Sequence, residues 1–172
     1  MSHPRTSLPE IDAGKLARIV AARLPSLEDR RAFVHDRGVG FHTIVRAATK
    51  RPLAAQAFLT LCAGLGLDPL TLEPAAGDMP PFRGEVIWPM AGAALQVARH
   101  LHGHDQRAVS RAARLSLATV NRAENGQALS AGSLLRLAAY VGLHPHAWSG
   151  PPALPQAAQT RNVSRETCSE TC

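Results

Sequence analysis

Apolar residues recur along most of this chain at intervals of three and four, which is the spacing of one face of an α-helix. Residues that favour helix ends separate these segments, including Asp12 before the first, Pro25 after it and Gly66 after the fourth. The first half is therefore predicted to form helices over residues 12–24, from residue 26 or 29 to residue 37, and over 41–48 and 54–65. No segment alternates apolar and polar residues as a strand would.

Residues 103–126 contain the clearest pair of short helices. Asp105 and Ser116 precede the two helices, where their side-chain oxygens can accept hydrogen bonds from the first-turn N–H groups. Gly126 follows the second helix and tolerates the left-handed backbone that ends helices. The positions expected to face the interior are Val109, Ala112 and Ala113 on the first helix and Val120 and Ala123 on the second.

The chain also contains an internal repeat with an offset of 76 residues. Residues 16–70 align with residues 92–146 without a gap, and 17 of the 55 pairs are identical. Other pairs exchange one apolar residue for another, as Ile44 and Val120 do. Such a match indicates two copies of one helical unit, each of a size that all-helical packing can support.

Two short helices joined by a tight turn are typical of a helix-turn-helix, whose second helix fits the major groove of DNA. Gln106 begins the first helix, Leu115-Ser116 form the turn, and Thr119-Val120 and residues 122–126 form and close the second. On these residues, and on residues 130–145 after them, the chain resembles the XRE family of lambda-repressor and Cro-like proteins. The resemblance implies an all-α fold of two tandem lambda-repressor-like domains, each with four to five helices.

The predicted organisation has five parts. A flexible arm (1–11) precedes the first helix-turn-helix domain (12–72), and a linker (73–87) with three prolines and two glycines leads to the second (88–150). The tail (151–172) is polar and is expected to be disordered. Phe82 and Ile87 are apolar residues through which the linker can dock onto a domain.

The charge is distributed unevenly. The net charge is +6, and counting Lys and Arg against Asp and Glu gives +4 for residues 1–72, −2 for 73–87, +4 for 88–150 and zero for the tail. Positive charge in both predicted domains favours an acidic partner such as double-stranded DNA.

Features of the chain also indicate its compartment. The three cysteines, Cys62, Cys168 and Cys172, are too few for a disulfide framework and favour a reducing cytosol. No apolar run is long enough for a transmembrane helix, and the N-terminus lacks an apolar signal region. We therefore expect no membrane partner and a cytoplasmic, nucleoid-associated protein.

The outward faces of the recognition helices 41–48 and 117–124 are the predicted base contacts. Arginine can bind guanine and asparagine can bind adenine through two hydrogen bonds, and apolar side chains can contact thymine methyl groups. The candidates are Phe41, His42, Val45 and Arg46 in the first half and Leu117, Ala118, Asn121 and Arg122 in the second.

Phosphate contacts are predicted at the start of the preceding helix and around the ends of each recognition helix. The candidates are Arg30, Arg31, Thr43, Lys50 and Arg51 in the first half and Gln106, Arg107, Thr119, Asn125 and Gln127 in the second.

The two halves differ at the turn. The first has Gly38 there, whereas Arg114 stands at the equivalent position of the second, and only the second has the Glu124-Asn125-Gly126 closure. Two different reading helices would suit an asymmetric DNA site, and the alternative is that one half has shifted to protein contacts.

Other chemistry is weakly represented. His100, His102 and His104 cannot share one helix face, and neither cysteine nor carboxylate joins them and the two later histidines, so no metal site is predicted. Cys62 lies on an apolar face and is expected in the core. No phosphate loop or catalytic set is present, which predicts a non-enzymatic protein without a cofactor.

The sequence therefore predicts a sequence-specific DNA-binding transcription regulator, a repressor or an activator of a bacterial type. The alternative is a helix-turn-helix protein-interaction module, such as an antiactivator, and Phe41 and Leu117 at recognition positions favour it. A metal-responsive regulator using the histidines is a third interpretation. Self-association is an additional hypothesis, either between the two built-in domains or between chains through apolar residues such as Trp148.

Overall fold

The computed structural model describes residues 9–77, 79 and 81–150. Most of the predicted arm and the whole predicted tail, with Cys168 and Cys172, lie outside the described residues.

The first half forms four helices: α1 (Ala13–Arg23), α2 (Leu27–Arg37), α3 (Phe41–Ala48) and α4 (Ala55–Gly64). Asp12 caps α1 by accepting from Lys15 N, as predicted. The sequence left residues 26 and 29 as alternative starts of α2. In the structure Ser26 caps the helix and exchanges hydrogen bonds with Asp29 in a capping box. The hydroxyl and backbone N–H of Ser26 lower the pKa of the Asp29 carboxyl, since both donate to its charged form.

The second half begins with a two-residue strand, β1 (Glu85–Val86), which pairs antiparallel with β2 (Ser149–Gly150). Between them lie α5 (Trp88–Leu101), α6 (Gln106–Ala112), α7 (Leu117–Glu124), α8 (Ala131–Val141) and a 3-10 helix (Pro145–Trp148). Asp105 and Ser116 cap α6 and α7 as predicted. The protein is thus mostly helical.

Two residues are placed differently from expectation. Ala112 was expected to face inward but is exposed, because the short α6 packs only through Val109 and Ala113, one turn apart. Trp148 was a candidate for self-association but is only 2% exposed, since the chain end folds back onto the core. Trp148 is therefore not part of the surface of this chain.

The two halves contact each other through equivalent positions of the repeat. Ala55 N donates to Leu129 O (3.2 Å), and Ala131 N donates to Leu53 O (3.1 Å). Ala54 pairs with its own equivalent, Ser130. Reciprocal contacts of this kind are what a two-fold rotation generates in symmetric dimers. We call this contact, residues 53–55 with 129–131, the seam.

The core continues across the seam. Helices α4 and α8 pack together, and the buried side chains of both halves belong to one cluster. The largest fully buried residues include Phe58 and Leu59 from the first half and Leu134 and Leu135 from the second.

The predicted linker is attached to both halves where the structure describes it. The Gln56 side chain on α4 donates to Gly84 O and accepts from Val86 N, while β1 pairs with β2. Phe82 packs against the core, with its ring centroid 5.3 Å from that of His146.

Arg114 occupies a left-handed backbone conformation. Its φ is +50°, and its repeat equivalent Gly38 has φ +63°. A side chain in this region costs about 1 kcal/mol relative to glycine. We therefore expect Arg114→Gly to raise the free energy of unfolding by about 0.5–1 kcal/mol, measured by urea denaturation.

Gly38→Ala is the matched control for this prediction. It places a Cβ in the same conformation and is expected to lower the free energy of unfolding by about 1 kcal/mol. Equal effects of both substitutions in the same direction would show that the turn conformation does not limit stability.

Candidate nucleic-acid interface

Helices α3 and α7 are held by equivalent buried residues. Ile44 and Ala47 on α3, and Val120 and Ala123 on α7, all lie in the core. Val120 and Ala123 were predicted to face the interior, and their burial confirms that prediction. The remaining faces of both helices are turned away from the core.

The candidate base-contact residues lie mainly on these outward faces. Leu117 is 42% exposed, a large fraction for an apolar side chain. Phe41 and Val45 are half-buried, so they are less accessible than predicted from the pattern. The exposed candidates are His42 and Arg46 on α3 and Leu117, Ala118, Asn121 and Arg122 on α7.

Arg46 and Arg122 have an intramolecular role that was not predicted. Arg46 Nε donates to Pro52 O (3.0 Å), and Arg122 Nη2 donates to Ala128 O (2.8 Å). The two carbonyl groups are themselves equivalent in the repeat. Each arginine therefore holds the loop after its recognition helix. Only the guanidinium N–H groups that do not donate to the loop carbonyl are available to a base.

Asn121 also has a neighbour on its own helix. Asn125 Nδ2 donates to both the backbone oxygen and Oδ1 of Asn121, each at 2.9 Å. This contact leaves the Asn121 amide nitrogen as a donor and occupies part of its acceptor capacity.

Some of the candidate phosphate contacts are engaged within the protein or half-buried, and the others are exposed. Arg30 Nε donates to Leu24 O (3.0 Å), and Gln106 Nε2 donates to Glu124 Oε2 (2.6 Å), so both side chains are engaged within the protein. Thr43 and Thr119 are half-buried, and the Thr119 hydroxyl lies 2.8 Å from that of Ser116. The exposed candidates are Arg31, Lys50, Arg51, Arg107, Asn125 and Gln127.

A buried polar network fixes α7 in the second half. Glu124 ends α7, and its side chain is 8% exposed. Oε1 of Glu124 accepts from Arg99 Nε on α5 (2.7 Å), and Oε2 accepts from Gln106 at the start of α6. The sequence indicates only that Glu124 closes α7, whereas in the structure it connects α5, α6 and α7. In the sequence, the signal for this network is a glutamine at the start of one helix, Gln106, and a carboxylate at the end of the next, Glu124.

An apolar hollow lies beside α3. Leu27, Val34 and Phe41 line it together with the stem of Arg31, and its volume is about 340 Å³. Leu27 is 53% exposed. The equivalent of Leu27 in the second half is Gly103. The hollow there is lined by Arg107 and Leu117 together with the polar residues Arg99, Asp105 and Gln106, so it is less apolar.

Two pairs of histidines lie close together, His102 with His104 and His144 with His146. His104 Nδ1 lies 3.0 Å from the Tyr140 hydroxyl on α8, which joins the loop after α5 to the end of α8. His144 Nε2 lies 3.4 Å from Asp68 Oδ1, and these two residues are repeat equivalents. Within the described ranges, no three His, Cys, Asp or Glu side chains form a group that could hold a metal ion.

Cys62 is fully buried on α4, as predicted. Burial raises the pKa of its thiol well above the ordinary value, so the reactive thiolate is not populated near neutral pH.

Comparisons with known proteins add no assignment. No family model matches the chain, and neither the curated proteins nor the solved structures gave a match. Among the described residues, every helix is too short or too polar to cross a bilayer.

Proposed function

We propose that this protein is a sequence-specific DNA-binding transcription regulator with two XRE-like helix-turn-helix domains. Helices α3 and α7 would each enter a major groove, and the proposed setting is the bacterial nucleoid. The observation that carries the proposal is the pair of eight-residue helices. Each is held by two buried residues, exposes its opposite face and is related to the other through the reciprocal seam.

The charge around these helices supports the proposal. Arg31 and Arg107 are equivalent, exposed and without side-chain hydrogen bonds in the described part of the chain. Lys50 and Arg51 follow α3 directly and are also exposed. Cations at these positions can neutralise phosphates on either side of a groove.

The seam predicts the form of the DNA site. Two reading helices related by a two-fold rotation fit half-sites in inverted orientation. The outward residues differ between the halves, with His42 replaced by Ala118 and Val45 by Asn121. The preferred site is therefore an imperfect inverted repeat bound by a single chain.

The test is selection of duplexes from a random pool, followed by fluorescence polarisation on the enriched sequence. We expect one chain per duplex, and a loss of affinity of about 10³-fold between 50 and 200 mM salt if about six phosphates are contacted. Failure to enrich any sequence contradicts the proposal.

Matched substitutions test which surface binds. His42→Glu and Ala118→Glu place a carboxylate at equivalent exposed positions of α3 and α7. Each is expected to weaken DNA binding by at least about tenfold through repulsion from phosphate. Ala139→Glu makes the same change on the exposed side of α8 and is the control. A loss no greater than that of the control would contradict the proposed reading helices.

The alternative function is a protein-interaction module. The hollow beside α3 and the 42% exposed Leu117 favour it, because both place apolar surface where DNA would otherwise lie. The same experiment separates the two functions. An interaction module is expected to enrich no duplex and to retain no salt-dependent DNA affinity.

A further inference from the structure

A cavity of about 390 Å³ opens at the seam, between the first half and α8. Its volume lies within the range of small-molecule sites. Ile11 and Ala13 supply apolar walls above the buried Leu16 and Phe58. Lys50, Arg51 and Arg136 are the cationic residues of the lining.

In the other half, the equivalent position carries a side chain that is hydrogen-bonded to the chain. On α4, the Gln56 amide donates to Gly84 O (2.6 Å) and accepts from Val86 N (2.7 Å). The repeat equivalent of Gln56 is Gly132 on α8, and a Cβ added there would meet no atom within 4 Å. The cavity therefore lies beside a glycine, where the other copy of the repeat has a hydrogen-bonded glutamine.

The packing of α1 against α3 also differs from that of α5 against α7. In the second half, Gly92 approaches the chain so closely that a Cβ would lie 2.6 Å from Ala123 O. Gly126 similarly lies against Pro89, where a Cβ would be 3.1 Å from Pro89 Cα. Leu16 stands at the position of Gly92, and its side chain excludes so close an approach. The contact between α1 and α3 therefore includes a leucine side chain where the contact between α5 and α7 has none.

The cavity also differs from its counterpart in charge. Lys50 and Arg51 have neutral equivalents, Gly126 and Gln127. The side chains of Lys50 and Arg51 have no hydrogen-bond partner among the residues described. Arg136 pairs with the exposed carboxylate of Glu10 (2.8 Å), the only acidic residue among the described residues of the lining. The cations exceed the carboxylates, so the site favours an anion.

We propose that this cavity binds a small organic monocarboxylate with an apolar aromatic or aliphatic body. The carboxylate would be bound by Arg51 and Lys50, with Arg136 beside them, and the apolar body would lie against Ile11 and Ala13. The assignment goes beyond DNA binding and is tested on the protein without DNA, so its outcome does not depend on the function proposed above.

The probes are benzoate, 1-naphthoate and hexanoate, each compared with its neutral amide. Calorimetric titration is expected to give saturable one-to-one binding of at least one carboxylate, at least about tenfold tighter than its amide. Thermal unfolding is expected to shift upward with the same probe, since a ligand that binds only the folded state stabilises it. Backbone NMR shifts are expected at residues 50–53 and 130–136.

Two variants give the cavity the residues found at the equivalent positions of the other copy of the repeat. Gly132→Gln introduces the side chain found at position 56, and Arg51→Gln introduces the one found at position 127. Each is expected to weaken the carboxylate by at least about tenfold while leaving the unfolding midpoint unchanged or higher. Arg111→Gln, at an exposed arginine outside the cavity, is the control and is expected to bind as the parent does.

Any one of four results would overturn the proposal. None of the carboxylates binds, or the amides bind as tightly, or Gly132→Gln retains full affinity in a folded protein. NMR shifts confined to residues outside the cavity lining would equally show that the anion binds elsewhere.

Discussion

Replacing Glu124 with alanine is expected to lower the free energy of unfolding by about 3 kcal/mol. The substitution leaves the guanidinium of Arg99, which is 19% exposed, without its carboxylate, and Gln106 without its acceptor. An uncompensated charge that is mostly removed from water costs far more than an exposed one. Urea denaturation followed by helical circular dichroism measures the change.

Two further variants separate the network from a general effect of losing a carboxylate. Glu28→Ala, at an exposed residue of α2, is expected to change stability by less than about 0.5 kcal/mol. In Arg99→Met/Glu124→Ala, removal of both charges is expected to cost less than the sum of the single changes, because no charge is left unpaired. A cost below about 1 kcal/mol for Glu124→Ala would contradict the prediction.

Phe58→Ala is expected to lower the free energy of unfolding by about 3–5 kcal/mol. Phe58 is fully buried on α4 and also lines the cavity at the seam beside Ala131. Because the core is continuous across the seam, the loss should destabilise both halves together. A single unfolding transition at a lower urea concentration is the expected result.

The chain provides a direct reporter for this cooperativity. Both tryptophans, Trp88 and Trp148, belong to the second half, so their fluorescence follows that half alone. Circular dichroism follows the helices of both halves. For Phe58→Ala the two midpoints should fall together, and a fluorescence midpoint that stays at the parent value would show that the halves unfold separately. Leu27→Ala, at an exposed apolar residue, is the control.

Local patterns predicted the helices well. The bounds of α3 and α7 agree with the sequence because capping residues and short-range apolar spacing are both local signals. Asp105 and Ser116 cap as expected. The buried positions of these two helices also follow from spacing alone, since each needs only a one-turn contact with the core.

The tertiary contacts were not predictable in the same way. The seam is formed by backbone groups of Leu53 and Leu129, and backbone pairing leaves no trace in the side chains. Arginine at both equivalent positions, 46 and 122, indicated a shared role for the two side chains. It did not indicate which role, because a guanidinium can donate to a loop carbonyl as well as to a guanine. The cavity lies beside Gly132, which has no side chain. The significance of this glycine is seen only when it is compared with its repeat equivalent, Gln56.

The reciprocal seam joins two related units within one covalent chain. Separate subunits with such an interface dissociate on dilution, and their active form then rises with the square of subunit concentration. Here the effective concentration of one half around the other is set by the connecting segment. Any surface that requires both halves is complete in each molecule, so occupancy of a target should rise hyperbolically with copy number, even when few copies are present.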